Sequence, residues 1–191
     1  MNKAVFLDRD GVINPLVYNP ETGEYESPHF VEDFSIYTYV LKSLRILKSN
    51  GYVIIVVSNQ PSYAKGKTSL ENIKSIEKLL FNYSEENGNL IDDYYYCYHH
   101  PDGIVEEYSG QCSCRKPGTL FLEKAIEKFD LNEKSCWFVG DQDTDIKCGK
   151  AMGFKTIKID NKHSLHKRGT EPSTYLADNL QDAITKIINT K

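Results

Sequence analysis

Residues 52–57 form an almost continuous run of β-branched side chains, and this run constrains the fold more than any other feature of the sequence. A strand that is apolar on both sides must be covered on both sides, which is typical of a parallel sheet. Similar short apolar runs alternate with longer segments of helical periodicity. The predicted strands are residues 4–7, 52–57, 93–97, 135–139 and 155–159, and the predicted helices are residues 40–49, 69–86, 119–129, 143–152 and 179–188.

This alternation predicts an α/β fold of three layers, in which a central parallel sheet carries helices on both faces. The 191 residues fit one domain that spans residues 1–191. Two segments fall outside the alternation. Residues 15–38 form a longer loop, and its aromatic side chains suggest that it partly covers a functional site. Residues 97–114 are polar and contain Gly103 and Gly110, so this loop needs something other than its own packing to order it.

Composition narrows the classes of partner. The net charge of -4 and the pI of about 5.8 argue against a surface that binds nucleic acid. No run approaches the ~20 apolar residues that cross a bilayer, and the first residues show no signal-peptide pattern. We therefore expect a cytoplasmic protein, not bound to a membrane, and we expect a monomer. The five cysteines are an odd number for a disulfide framework, which leaves metal binding as the interpretation for the clustered ones.

Polar side chains follow three of the predicted strands. Asp8 and Asp10 come after the first, Ser58 after the second, and Asp141 after the run at 135–139. The carboxyl ends of parallel strands meet at one edge of a sheet, so these residues are expected to lie together. Carboxylates this close repel each other unless a cation lies between them. A hard ion with oxygen ligands, Mg²⁺, suits a few carboxylates and a substrate phosphate.

The same residues predict phosphoryl transfer. A carboxylate can attack phosphorus to give an aspartyl-phosphate, and Asp8 is the candidate nucleophile. Asp10 would protonate the leaving oxygen and later deprotonate the hydrolytic water. Lys116 and the Ser58 hydroxyl would offset the charge of the phosphate. Taken singly, an Asp-x-Asp-Gly is often a turn and a serine after a strand is often a cap; it is their combined order along the chain that favours catalysis.

A second cluster, of soft ligands, lies in the loop at 97–114. Cys97 and His99 are followed by Cys112 and Cys114, and four such groups suit a structural Zn²⁺ in a closed tetrahedron. Zinc binding contributes on the order of 10 kcal/mol, which is enough to order a loop of this kind. His100 is a competing ligand because it adjoins His99, and a pair of merely buried thiols is the alternative to a zinc site. The two remaining cysteines occur in strand and helix patterns and are expected in the core.

These motifs, in this order, resemble the four-motif pattern of the haloacid dehalogenase (HAD) superfamily of phosphatases. The pattern is Asp8-x-Asp10-Gly11-Val12, Ser58, Lys116 and Gly140-Asp141-x-x-x-Asp145. The resemblance implies a Rossmann-like HAD fold without a large cap domain and a small-molecule phosphate ester as the substrate. It implies Asp8 and Asp10 as catalytic residues, Ser58, Asn59, Gln60, Pro61, Arg115 and Lys116 as binders of phosphate and substrate, and Asp8, Asp141 and the Asp10 main chain as magnesium ligands.

The zinc loop resembles that of the zinc-bearing subgroup of this superfamily, which includes the heptose bisphosphate and histidinol phosphate phosphatases. That likeness implies removal of the 7-phosphate of D-glycero-D-manno-heptose 1,7-bisphosphate in surface-glycan nucleotide-heptose biosynthesis. The alternative is histidinol phosphate or another small polyol or amino-alcohol phosphate. Two departures concern the leaving group: Pro61-Ser62-Tyr63 replaces the usual Ser-Gly-Ile or Ser-Gly-Val, and Gln142 replaces a lysine.

Two other classes of protein compete with the phosphatase interpretation. A receiver-type signalling domain also uses carboxylates, magnesium, a hydroxyl and a lysine, but it lacks an acid two residues after the acceptor, where this chain has Asp10. A nucleic-acid module could use the zinc loop, but the acidic balance of the chain opposes it.

Overall fold

A twisted parallel sheet organises the chain. The computed structural model describes residues 1–164 and 169–190. Six strands form the sheet in the order β5-β4-β1-β6-β7-β8, and all of its neighbouring pairs are parallel. Their bounds are β1 Lys3–Leu7, β4 Tyr52–Asn59, β5 Asp93–Cys97, β6 Trp137–Gly140, β7 Lys155–Ile159 and β8 Tyr175–Ala177.

Five helices connect and cover these strands. They are α1 Val40–Ser49, α2 Leu70–Glu86, α3 Leu120–Phe129, α4 Asp143–Ala151 and α5 Leu180–Asn189. Two caps explain why α2 and α5 each begin one residue after the predicted start. The Ser69 side chain accepts from the amide of Asn72, and the Asn179 side chain accepts from that of Asp182, so both residues stand outside the helix they cap.

The two faces of the sheet form two separate parts of the core. On β1, Val5 and Leu7 pack with α1 and α5, whereas Ala4 and Phe6 pack on the opposite face with Leu122 of α3. This alternation follows from the period of two along a strand. The result is the predicted three-layer α/β architecture. None of the described helices is long and apolar enough to cross a membrane.

The structure adds elements that the sequence pattern did not predict. An antiparallel hairpin, β2 Val17–Asn19 with β3 Glu24–Glu26, lies inside the segment 15–38. Strand β8 is an edge strand of only three residues. The strand predicted at 135–139 begins later, at Trp137, because Glu133–Ser135 form a 3-10 turn. Strand β4 continues through Ser58 and Asn59, which places both at the carboxyl edge of the sheet.

Candidate active site and zinc loop

Asp8 stands at the carboxyl end of β1 and is 5% exposed. Its Oδ1 accepts from the Ser58 hydroxyl at 2.8 Å and from the Arg9 amide at 2.7 Å, and it lies 2.9 Å from the Lys116 ammonium. All three donors meet one oxygen. Among the contacts of the described residues, Oδ2 is therefore the atom with room to meet a phosphorus or a cation.

Lys116 is a buried cation shared between two carboxylates. Its Nζ lies 2.9 Å from Asp8 and 2.6 Å from Asp145, and it donates to the Val57 carbonyl at 2.8 Å. Burial opposes the charged form, but Asp145 and Asp8 outweigh it and raise the pKa of Lys116 above its usual value. The ammonium therefore stays charged in the interior and faces the Asp8 carboxylate.

Asp141 follows β6 and has no solvent exposure. Neither of its carboxylate oxygens has a hydrogen-bond partner in the described part of the chain. Burial, followed by the charges of Asp8 and Asp145, raises its pKa well above the usual range. The backbone of Gly11, at φ +84°, approaches this carboxylate so closely that a Cβ at that position would collide with it. A buried carboxylate without a partner is costly, and a bound cation would remove that cost.

Asp145 completes the acidic group. Ligand atoms of Asp8, Asp141 and Asp145 all lie within 4.8 Å of one another. Asp145 has partners on both oxygens, however, because Lys116 lies by Oδ1 and the Gln142 amide donates to Oδ2 at 3.0 Å. Burial, opposed by Lys116 and reinforced by Asp8, raises the pKa of Asp145 to about 6.

The Asp10 carboxylate is held by several donors. Arg9 contacts it through Nε and Nη2 at 2.9–3.1 Å, Asn14 donates at 2.9 Å and Gln60 at 2.5 Å. Burial alone would raise the pKa of Asp10, but the Arg9 charge and the hydrogen bonds of Asn14 and Gln60 lower it below its usual value. Asp10 is 5% exposed and lines the same cavity as Asp8.

The other residues predicted from the Ser58 motif have different surroundings. The Asn59 side chain accepts from the Lys116 amide at 3.0 Å and donates to the Lys116 carbonyl at 3.2 Å. Gln60 is 1% exposed, and its amide bonds Arg9, Asp10 and Ser58. Asn59 and Pro61 line the cavity. These contacts give Asn59 and Gln60 bonds to neighbouring site residues rather than free polar groups.

Most of the predicted site residues line a small cavity of about 130 Å³, whereas Ser58, Gln60 and Asp141 are not on its wall. Ser27, at the end of the hairpin, closes one side of it. A larger cavity of about 320 Å³ beneath the hairpin also has Ser27 on its wall. The smaller cavity is lined by Asp8, Asp10, Ser27, Asn59, Pro61, Lys65, Arg115, Lys116, Gln142, Thr144 and Asp145.

The four predicted zinc ligands form one cluster. The Sγ atoms of Cys97, Cys112 and Cys114 lie 3.2–3.5 Å apart, and His99 Nδ1 lies 3.8 Å and 3.9 Å from Cys114 and Cys97. A tetrahedron with Zn–S bonds of about 2.3 Å has edges of about 3.8 Å, so the cluster is close to the size that zinc needs. All five cysteines are free thiols.

His100 lies outside this cluster. Its Nδ1 accepts from the Asp102 amide at 3.1 Å. Burial, then the positive charges of Lys65 and Arg115, lower the pKa of His100. Arg115 in turn donates to the His99 carbonyl at 3.1 Å, which attaches its guanidinium to the zinc loop at the cavity wall. The side of the cavity next to the zinc loop is therefore positively charged.

Several residues at the site were not predicted from the sequence, among them Arg9, Asn14 and Ser27, and Lys65 and Thr144 also line the cavity. Arg9 was treated as a spacer between two acids, although a charged residue at the end of a buried strand is itself a signal that it has a buried partner. Asn14 is held at Asp10 by a tight turn that follows Gly11. Ser27 lies at the end of the hairpin, in the segment 15–38 that was expected to cover the site in part, but nothing in the sequence indicated this serine itself.

The arrangement of these side chains fits a phosphatase that uses a carboxylate. Comparisons with known proteins agree with this interpretation. A family model described as HAD-hydrolase-like matches residues 113–183. A D-glycero-alpha-D-manno-heptose-1,7-bisphosphate 7-phosphatase of Photorhabdus laumondii is 37% identical over 152 residues, which are 80% of this chain and 79% of that protein. The chain belongs to the HAD family of phosphatases. These enzymes are phosphoric monoester hydrolases.

A second relative in this family covers more of the chain. The D-glycero-beta-D-manno-heptose-1,7-bisphosphate 7-phosphatase of Haemophilus influenzae is 32% identical over 188 residues, 98% of this chain and 95% of that protein. A crystal structure of D,D-heptose 1.7-bisphosphate phosphatase from B. bronchiseptica, complexed with magnesium and phosphate, has the same HAD fold. It superposes with a TM-score of 0.77 at 20% identity and covers 98% of each chain.

Proposed function

We propose that this HAD phosphatase removes the 7-phosphate of D-glycero-D-manno-heptose 1,7-bisphosphate through an aspartyl-phosphate on Asp8. The observation that carries the proposal is the meeting of Asp8, Asp141 and Lys116, from distant parts of the chain, at one buried edge of the sheet. The relatives at 37% and 32% identity are named for this substrate, and they support heptose over other small phosphates.

Magnesium fits the carboxylate group. Both carboxylate oxygens of Asp141 are buried without a hydrogen-bond partner, and Asp8 Oδ2 receives none of the three donors that meet Oδ1. Asp145 differs, because its Oδ1 forms an ion pair with Lys116 and its Oδ2 accepts from the Gln142 amide. We therefore assign Asp8, Asp141 and the Asp10 main chain as ligands and Asp145 as the residue that orients Lys116. When bound, the ion would neutralise part of the charge of the substrate phosphate.

The side chains divide the reaction between them. Oδ2 of Asp8 attacks phosphorus while the bond from phosphorus to the sugar oxygen breaks. Asp10 gives that oxygen a proton, which it must first take up because Arg9, Asn14 and Gln60 lower the pKa of its carboxyl. Asp10 then takes a proton from water, the water oxygen bonds phosphorus, and the bond to Asp8 breaks to release inorganic phosphate. Lys116 and Ser58 hold the negative charge near Asp8 throughout.

A second phosphate would be accommodated on the opposite wall. Arg115 and Lys65 line the cavity beside the zinc loop, and both lower the pKa of nearby His100 by their charge. A planar guanidinium suits bidentate contact with a phosphate. The 1-phosphate of a heptose bisphosphate supplies such a group, whereas histidinol phosphate does not.

We assign a structural Zn²⁺ to Cys97, His99, Cys112 and Cys114, because three thiols and an imidazole nitrogen meet at the distances given above. Thiolate ligands persist in a reducing compartment, which supports the cytoplasm as the location. We further propose a monomer. Light scattering of the purified protein tests the monomer.

A phosphate-release screen tests the substrate. The chain is assayed with Mg²⁺ on the α and β anomers of the heptose bisphosphate, on histidinol phosphate and on short polyol phosphates. We expect the highest kcat/KM on one heptose anomer, and Asp8→Asn serves as the background control. A higher kcat/KM on histidinol phosphate would replace the heptose assignment, and no release from any ester would end the phosphatase proposal.

A further inference from the structure

Arg9 lies between the two catalytic carboxylates and is completely buried. A guanidinium carries a charge that is costly to remove from water, and a buried ion pair is often no more stabilising than apolar residues of similar volume. Stability alone therefore gives little reason for an arginine directly after β1. The directions of its hydrogen bonds give a better one.

The Arg9 side chain holds two residues at once. Nε and Nη2 contact the Asp10 carboxylate as a fork, at 3.1 Å and 2.9 Å to Oδ1 and 3.1 Å to Oδ2. The same Nη2 donates to Gln60 Oε1 at 2.8 Å. Arginine has donors only, so the carbonyl of Gln60 must face Arg9, and the amide nitrogen of Gln60 must face Asp10.

Gln60 then closes a ring of bonds around the acid. Its Nε2 donates to Asp10 Oδ2 at 2.5 Å and to the Ser58 hydroxyl at 3.0 Å, and Ser58 donates to Asp8 at 2.8 Å. One connected network thus joins both catalytic carboxylates. Rotation of Asp10 away from the cavity would break bonds to Arg9 and Gln60 together.

The far side of Arg9 is enclosed as well. Its Cζ lies 5.9 Å from the centre of the Phe34 ring. Nη1 and the hydroxyl of Tyr96 are buried and have no hydrogen-bond partner within the described ranges, and Glu77 acts electrostatically on both side chains. A buried water could satisfy such groups. The guanidinium is therefore fixed on one side by rings and on the other by the acid it holds.

We propose that Arg9 and Gln60 are positioning residues that fix the Asp10 carboxylate for proton transfer to the leaving oxygen, an inference that presupposes the phosphatase activity proposed above. General acid catalysis needs the acid within hydrogen-bond reach of the oxygen it protonates. Lysine in place of Arg9 keeps the charge but cannot reproduce the fork.

Dependence on the leaving group tests this role. A p-nitrophenolate leaves without a proton, whereas an alkoxide needs one. The full-length protein is assayed with Mg²⁺ on p-nitrophenyl phosphate and on D-glycero-D-manno-heptose 1,7-bisphosphate, with glycerol 3-phosphate as a second alkyl ester. For Arg9→Lys and Gln60→Met we expect kcat/KM to fall about 100-fold on the alkyl esters and less than about tenfold on p-nitrophenyl phosphate, as general acid loss predicts.

Asp10→Asn is the reference, because it removes the acid itself and must show the same selectivity. An equal loss on both kinds of ester, or no loss, in the Arg9 and Gln60 variants would overturn the positioning role while Asp10→Asn still discriminates. If Arg9→Lys does not fold, Gln60→Met decides alone, since it leaves the ion pair of Arg9 and Asp10 in place. A wild-type protein that hydrolyses neither ester contradicts the proposed function instead, which separates the two failures.

Discussion

The carboxylate group and the zinc cluster assemble their ligands in different ways. Asp8 and Asp141 come from distant positions and meet because β1 and β6 are neighbours, with Leu7 paired to Val139. The zinc ligands all lie within residues 97–114, a loop that has little regular structure, and three of the four are partly exposed. We therefore expect the sheet to hold the first site together without an ion, and the second site to need a bound ion for its order.

Removal of the nucleophile should have the largest effect. Asp8→Asn keeps the size of the side chain but loses the attacking oxygen, so we expect kcat to fall at least about 10⁴-fold. Circular dichroism should show a folded protein, because the sheet rather than this side chain holds the edge together. Asp93→Asn, at the start of β5, is the matched control and should stay within about twofold of the wild type. Turnover of Asp8→Asn within tenfold of the wild type would refute the nucleophile.

Removal of a zinc ligand should have a smaller effect that spreads through the loop. We expect Cys112→Ser to lose zinc and to lower kcat/KM about 10–100-fold, because Arg115 and Lys116 directly follow Cys114. Metal analysis with thermal unfolding measures both results. Cys136→Ser is the control, since its thiol donates to the Asn132 carbonyl in the core and takes no part in the cluster. Stoichiometric zinc in Cys112→Ser would contradict the ligand assignment.

Asn59 lies between the carboxylate group and the zinc cluster, so its replacement tests whether the two regions depend on each other. Its two bonds to the Lys116 main chain join the end of β4 to the zinc loop. In Asn59→Ala the Lys116 amide loses its partner at a cost of about 1–2 kcal/mol, and we expect a roughly 5–30-fold weaker inhibition constant for inorganic phosphate. Asn87→Ala, at the end of α2, should not change that constant. An unchanged inhibition constant for phosphate in Asn59→Ala would show that these two bonds do not affect phosphate binding.

The last prediction concerns the stability of the metal-free carboxylate group and not the turnover of substrate. The folded-state pKa values of Asp141 and Asp145 are raised, for Asp145 to about 6. Both carboxyls therefore favour the folded state when they are protonated, below about pH 4, and this contribution to the free energy of unfolding is lost as pH rises. In EDTA, Asp141→Asn should therefore be more stable than the wild type by about 1–3 kcal/mol at pH 7.5 and nearly equal to it at pH 4.

Urea unfolding at the two pH values measures this difference. Asp102→Asn, on the surface of the zinc loop, is the control and should follow the wild type at both. Saturating Mg²⁺ should reverse the order at pH 7.5, because it binds the folded wild type more tightly than the variant. A wild type that is the more stable of the two in EDTA at pH 7.5 would show that these carboxylates are compensated without an ion.

The parts that could be predicted from the sequence follow from short-range rules. Residues 52–57 indicated a strand covered on both faces, and the carboxyl-edge rule predicted that Asp8, Ser58 and Asp141 lie together. Cys97, His99, Cys112 and Cys114 all lie within one loop, so their spacing in the sequence was enough to predict the cluster. In each case the relevant geometry is local or fixed by strand direction.

The remainder depends on how side chains point in the assembled molecule. The ring of bonds among Arg9, Asp10 and Gln60 joins the segments that follow β1 and β4, and no periodicity encodes it. The hairpin of β2 and β3 was missed because its strands have three residues each and lie among prolines and glycines. Strand β8 was missed for a related reason, since its exposed Tyr175 and Leu176 give no buried pattern.

The close approach of Gly11 to Asp141 has a consequence for how the enzyme is made. About 130 residues separate the two carboxylates of the metal site, and a ribosome adds roughly 5–20 residues each second. Asp8 is thus synthesised on the order of ten seconds before Asp141 exists. A nascent or truncated chain that ends before Gly140 has Asp8 but no site in which to use it, so hydrolysis begins only when the last half of the sheet has closed against the first.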